Sequence, residues 1–217
     1  MPNRPSPRIA SRKQPKQARS AELVAAILEA AAQVLAKEGA ARFTTARVAE
    51  KAGVSVGSVY QYFPNKAAIL FRLQSDEWRQ TEGLLTSILS DANRAPQERL
   101  RAVVHAFVRS ECEEALMRTA LNDAAPLYRD APEALRARAS GADIVSDFMR
   151  DALPEATAPT RSLAAHLITT TLKEVGKRFS ETPRTDAEIG AYADALADMF
   201  EAYLHRLGHG PASRRER

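Results

Sequence analysis

The sequence predicts an all-α protein, and three observations carry that expectation. Apolar side chains recur at spacings of three and four along most of the chain. Alanine is abundant while glycine numbers only 9 in 217 residues, and aromatic residues make up only 6%. That balance favours helices over sheets. With 45% hydrophobic and 27% charged residues the chain has ordinary globular composition, so a packed core is expected and wholesale disorder is excluded. No apolar stretch reaches the roughly 18–20 residues that cross a bilayer, and the N-terminus lacks the apolar segment of a secretory signal. Membrane contact is therefore not expected, and a cytoplasmic location is. One cysteine, Cys112, makes no internal disulfide. The four histidines (His105, His166, His205, His209) show no HExxH sequence, so neither a metal nor a cofactor is expected.

Helix 1 is expected from Ser20, with Leu23, Ile27, Ala30, Ala31 and Val34 on one face. Ser20 caps it, Glu22 suits its positive end, and Lys37 followed by Gly39 closes it. Thr44 is the next N-cap, with Phe43 before it and Val48 four positions into the helix as a hydrophobic staple. Helix 2 runs to about Ala52, and Gly53 supplies the left-handed residue that ends it. Ser55 caps helix 3, and Val54 and Val59 repeat the staple. Two short helices either side of Gly53-Val54-Ser55 form a helix-turn-helix, whose second helix enters the major groove of DNA.

Within helix 3, Val59 and Phe63 are expected in the core. Gly57 and Ser58 are small enough for the helix to approach the groove floor. Ser58 and Gln61 offer hydrogen bonds to base edges, and Val56 offers contact with a thymine methyl. Tyr60 and Tyr62 have the length to reach phosphates, and packing between helices 3 and 4 is an equal reading for one of them. Asn65 caps helix 4. Lys66 beside it opposes the positive helix end unless a phosphate binds there.

Charge is placed accordingly. Residues 1–19 carry six basic side chains and no acidic one, and residues 1–66 carry eleven basic and four acidic. The net +7 of that portion contrasts with −3 for the remainder. A basic head on a slightly acidic body fits a polyanion at the head. The prolines of residues 1–19 mark that arm as disordered when free.

The stretch from about Lys16 to Leu70 resembles the DNA-binding domain of the tetracycline-repressor (TetR) family. The carriers are Phe43-Thr44-Thr45, Val48-Ala49, Ala52-Gly53-Val54-Ser55 and the unbroken string from Gly57 to Lys66. The resemblance implies that Thr44, Tyr60, Tyr62 and Lys66 contact the DNA backbone. It places Thr45, Arg47, Ser55, Val56, Gly57, Ser58, Gln61 and again Tyr62 at bases or flanking phosphates. Arg12, Lys13, Lys16 and Arg19 are candidates for minor-groove contact. The expected organisation is an arm (1–19), the helix-turn-helix domain (20–66), a helical effector-binding and dimerisation domain (67–208) and a disordered tail (209–217).

In the body, helices are expected from Asn65 to about Leu89, from Pro96, from about Glu114 to Asn122, and from Pro132 to Pro154. Two more are expected after Pro159 and from about Asp186. The stripe Ile189, Tyr192, Leu196, Met199, Phe200 and Tyr203 reads as core in a lone chain. The resemblance implies instead that the last two helices pair with those of a second copy. A homodimer reading a palindromic operator is the expectation, since one recognition helix spans only a few base pairs. Trp78, His105, Phe107, Met117, Tyr128, Phe148 and His166 are candidates to line a pocket for a small-molecule effector; for any one of them, ordinary core is the stronger reading.

The function expected is that of a DNA-binding transcriptional regulator, a repressor released from its operator by a small molecule. No nucleophile–base pair, metal-ligand set or phosphate loop suggests an enzyme. A constitutive DNA binder without an effector remains open.

Overall fold

The computed structural model describes residues 9–10, 18–139 and 142–209. Among the described residues, ten α-helices and one short 3-10 turn account for the regular structure, and there is no strand. The chain divides into two compact units, the first formed by residues up to 79 with 116–140, the second by 80–115 with 141–217. The division falls inside the fourth helix rather than at residue 66, because side chains of 120–134 join the first core.

The first unit contains α1 (Ala18–Arg42), α2 (Thr45–Lys51), α3 (Val56–Tyr62) and the start of α4 (Lys66–Leu89). Gly39, with φ of +74°, leaves the helical conformation inside α1, at the position where the sequence ends the helix. Beyond α4 the unit takes in most of α6 (Ala115–Ala124), the turn Ala125–Leu127 and α7 (Pro132–Ala139). Its core includes Ile27, Leu35, Phe43, Val48, Val59, Phe63, Ile69, Leu70, Leu121 and Tyr128. Burying a side chain such as Phe43 contributes about 1.5–3 kcal/mol, so this cluster holds the short helices α2 and α3, which are too short to persist alone. Ile9 is also buried there, so at least one side chain of the arm expected to be disordered packs into the core. Arg12, Lys13 and Lys16 lie outside the described residues, as does the tail beyond His209.

Tyr128 is buried with its hydroxyl donating to the Leu121 carbonyl at 3.0 Å and to Gln74 Oε1 at 3.2 Å. Gln74 in turn donates to Glu77, and Glu77 pairs with Arg118 at 2.9 Å, both side chains mostly buried. These bonds tie α6 and the turn after it to α4.

The second unit is built from the rest of α4 with α5 (Pro96–Glu113), α8 (Ala142–Ala152), α9 (Ala158–Phe179) and α10 (Asp186–Gly208). Over residues 132–153, where a single helix is expected, the described residues form α7 and α8, and residues 140 and 141 lie outside them. Leu100, Val104, Phe107, Phe148, Leu172, Leu196 and Phe200 belong to its core. Gly176 on α9 lets α5 come close: a Cβ there would stand 3.0 Å from the Phe107 ring. Arg101 on α5 reaches Asp194, Asp198 and Glu201, one acidic row of α10. Buried Arg99 donates to the Leu89 carbonyl at 2.7 Å and to Asp151 at 3.2 Å, fastening the ends of α4, α5 and α8.

Candidate nucleic-acid interface

Local capping chemistry sets the geometry of α2, α3 and α4. Thr44 Oγ1 accepts from the Arg47 amide at 3.3 Å, Ser55 Oγ from the Ser58 amide at 3.0 Å, and Asn65 Oδ1 from the Ala68 amide at 2.9 Å. Each bond satisfies an amide that a helix start leaves unpaired, and each is worth about 1 kcal/mol. Gly53, at φ of +68°, makes the left-handed step between α2 and α3 that a side chain would strain. Phe43 and Val48 are fully buried, as is Val59, whose staple partner Val54 packs against the same core.

With Val59 and Phe63 turned inward, the opposite face of α3 is presented to solvent. Ser55, Val56, Gly57, Tyr60 and Gln61 are exposed and Ser58 is half-buried. Tyr62 is not on that face. It is 7% exposed, against 41% for Tyr60. The expectation that Tyr62 reaches DNA is corrected to this extent: its ring is core, because it stands three residues after Val59 on the inward side. Thr45, expected near bases, is likewise 9% exposed, whereas Thr44 is open to solvent. Arg47 is held within the protein, its guanidinium bound to the Glu38 carboxylate and to the Arg42 carbonyl at 3.2 Å.

Thr44, Thr45, Ala46, Val56, Tyr60, Asn65 and Lys66 line one open recess of about 430 Å³. The starts of three helices meet around it, so their amides and the Lys66 ammonium give it positive character suited to a phosphate. Ala46 and Asn65 are lining residues that sequence reading did not assign to the surface. Asn65 was read only as a cap, and Ala46 carries no chemical signal of its own. Arg19 is exposed in the first turn of α1.

The candidate effector residues are divided between the two units. Trp78, Met117 and Tyr128 belong to the first unit, where Tyr128 is core and Met117 packs on it. In the second unit Phe107 and Phe148 are filled core, His105 is paired at the surface with Asp194 at 3.0 Å, and His166 is exposed. Aromatic rings at helical spacing serve the core here, as they do in most helical proteins. The second unit does contain a cavity of about 200 Å³ between the start of α5 and the ends of α8 and α10. Among the described residues no group of three or more His, Cys, Asp or Glu is placed to hold a metal ion, and no helix is long and apolar enough to cross a membrane.

The fold and this recess define a helix-turn-helix regulator. Two family models match the chain: "Bacterial regulatory proteins, tetR family" over residues 27–73, and "Tetracyclin repressor-like, C-terminal domain" over residues 95–207. The chain therefore belongs to the TetR family of bacterial transcriptional regulators. It is 42% identical over 82 residues to the nucleoid occlusion factor SlmA of Vibrio campbellii, a match that spans 36% of this chain and 40% of that protein. The SlmA of Aliivibrio fischeri matches at 42% over 69 residues, 31% of this chain and 32% of that protein. Less than half the length of either relative is thus covered. Among solved structures, the fatty acid degradation regulator FadR from Bacillus halodurans superposes with a TM-score of 0.64 at 18% identity, covering 94% of this chain and all of that one. A TetR-like transcriptional regulator from Rhodococcus sp. RHA1 gives 0.61 at 18%, covering 92% and 100%. At such identities the two structures share the fold.

Proposed function

We propose that the protein is a cytoplasmic repressor, not an enzyme, that binds a palindromic operator as a homodimer and leaves it when a small molecule occupies the second unit. The observation that carries the DNA-reading half is Gly57. It is exposed on α3, and a Cβ there would meet nothing nearer than Ser55 Oγ at 3.7 Å. The fold does not require glycine at this position, and glycine in a helix costs stability. Close approach by a partner outside the chain gives a reason for it. Gln61, Ser58 and Val56 then face base edges, while Thr44, Tyr60 and Lys66 hold phosphates.

The dimer rests on exposed apolar side chains of the last two helices. Leu163 and Leu167 on α9 are 62% and 47% exposed, and Met199 on α10 is 51% exposed. A second copy seated there would cover them and offer a second α3 to the same DNA face. For the effector to empty the operator, its preference for the released conformation must be about 5.5 kcal/mol to move occupancy from 99% to 1%.

A second reading is favoured by the match to SlmA, named a nucleoid occlusion factor: DNA binding whose purpose is not repression of a promoter. A gel-shift titration on DNA upstream of the protein's own gene, with and without a panel of small apolar and charged compounds, separates the two. Release by a compound supports the repressor. A shift that no compound relieves, with no change in transcription from that DNA, supports the second reading.

A further inference from the structure

Two of the four histidines are brought together at the end of α10. The rings of His205 and His209 have centroids 4.0 Å apart and planes inclined by 26°. A separation of four residues puts both on one face of a helix, the spacing by which a helix offers two imidazoles to one ion. His209 Nδ1 lies 2.9 Å from the carbonyl oxygen of His205. A carbonyl only accepts, so Nδ1 carries the proton and Nε2 of the neutral ring keeps its lone pair. Metal-binding histidines are commonly fixed in this way, by a carbonyl behind the ring.

The surroundings suit a cation. The C-terminal end of a helix carries partial negative charge. Glu201 lies one turn before His205, and both histidines line the same cavity as Glu201 and Gln97. The Glu201 carboxylate is anchored by Arg101 at 3.0 Å through each oxygen, so it is taken up in an ion pair and is not a third ligand.

We propose that His205 and His209 form a two-histidine chelate for a divalent d-block cation of the Zn(II), Ni(II) or Cu(II) class. Imidazole selects these ions over Mg(II) and Ca(II), which prefer oxygen ligands. Chelation requires the rings to leave their stacked position, the His209 ring pivoting about its Nδ1 hydrogen bond, so that one nitrogen of each stands about 2.0–2.1 Å from the ion. Solvent fills the other positions, on the side where the cavity opens.

Ni(II) is the probe. Titrated into the full chain and followed by NMR, it should broaden the ring-proton signals of two of the four histidines at one equivalent. His205→Gln and His209→Gln identify those signals. Each change should weaken Ni(II) binding, measured by calorimetry, by about tenfold or more, at least what loss of an outer-shell partner costs a metal site. His105→Gln and His166→Gln should leave it unchanged, and Mg(II) should broaden nothing. The Tm of the unaltered chain should rise with Ni(II), and that rise should vanish in the His209→Gln protein. Equal broadening of all four histidines, or undiminished affinity in both the His205→Gln and His209→Gln proteins, overturns the proposal.

Discussion

Arg47 of α2 is bound to Glu38 of α1, an ion pair that spans the kink at Gly39. The arginine expected on DNA is therefore occupied within the free protein. Glu38→Gln is expected to release it and to remove a negative charge from the reading head. Binding to every duplex should tighten about fivefold, equivalent to roughly 1 kcal/mol. Fluorescence anisotropy at fixed salt measures this, and an unchanged affinity makes Arg47 a tether only.

Tyr60 and Tyr62 should separate cleanly. Tyr60→Phe removes an exposed hydroxyl, so affinity for all sequences should fall while the unfolding curve stays put. Tyr62→Ala empties part of the core and should cost about 3–5 kcal/mol of stability, the range for a large buried ring. Urea unfolding of both variants, set beside their DNA affinities, checks the pair.

Lys66 and Gln61 should differ in kind. Lys66→Ala is expected to weaken binding uniformly and to lower the slope of log K against log salt by about 1. Gln61→Ala should alter which sequences are bound, with discrimination at one position falling by about 1–3 kcal/mol. Selection from a random duplex pool reads the second effect.

Gly57→Ala should move stability and binding in opposite directions. An added methyl makes only an ordinary contact, with Ser55 Oγ at 3.7 Å, so the fold should gain about 0.5–1 kcal/mol. The same methyl stands between α3 and the groove floor and should weaken specific binding. Thermal unfolding and anisotropy on one preparation decide it.

At the start of α10, Thr185 donates to Glu188 Oε2 from its amide at 2.8 Å and its hydroxyl at 2.9 Å. The amide bond first, and the hydroxyl second, hold the Glu188 carboxyl below its ordinary range. The unfolded chain takes up this proton at higher pH than the folded one, so the contribution is complete above the ordinary carboxylate pKa. It is lost as pH falls through the depressed folded value. Glu188→Gln should therefore lower Tm at neutral pH, and the gap to the unaltered chain should close under acid conditions.

Much of the reading head was legible because its determinants are local. Thr44, Ser55 and Asn65 cap the helices they precede, and Gly53 makes the turn, each within a few residues of its partner. Tertiary choices were less legible. Periodicity gave no sign that Tyr128 and Leu121 would join the core of the reading head, or that Glu38 would hold Arg47. Phe107 and Phe148 suggested a pocket because a core ring and a pocket ring obey the same spacing. His205 and His209 have the four-residue separation of HExxH without its glutamate, so no motif marks the pair, and their ring contact is visible only in the structure.

The central claim, that the solvent face of α3 reads duplex DNA, is tested most directly by anisotropy of a labelled upstream duplex against the full chain at several salt concentrations. The account predicts saturable binding that weakens steeply with salt and is lost when Gln61 and Lys66 are replaced together by alanine. Binding that survives that double replacement, or no binding to any duplex at low ionic strength, would contradict it.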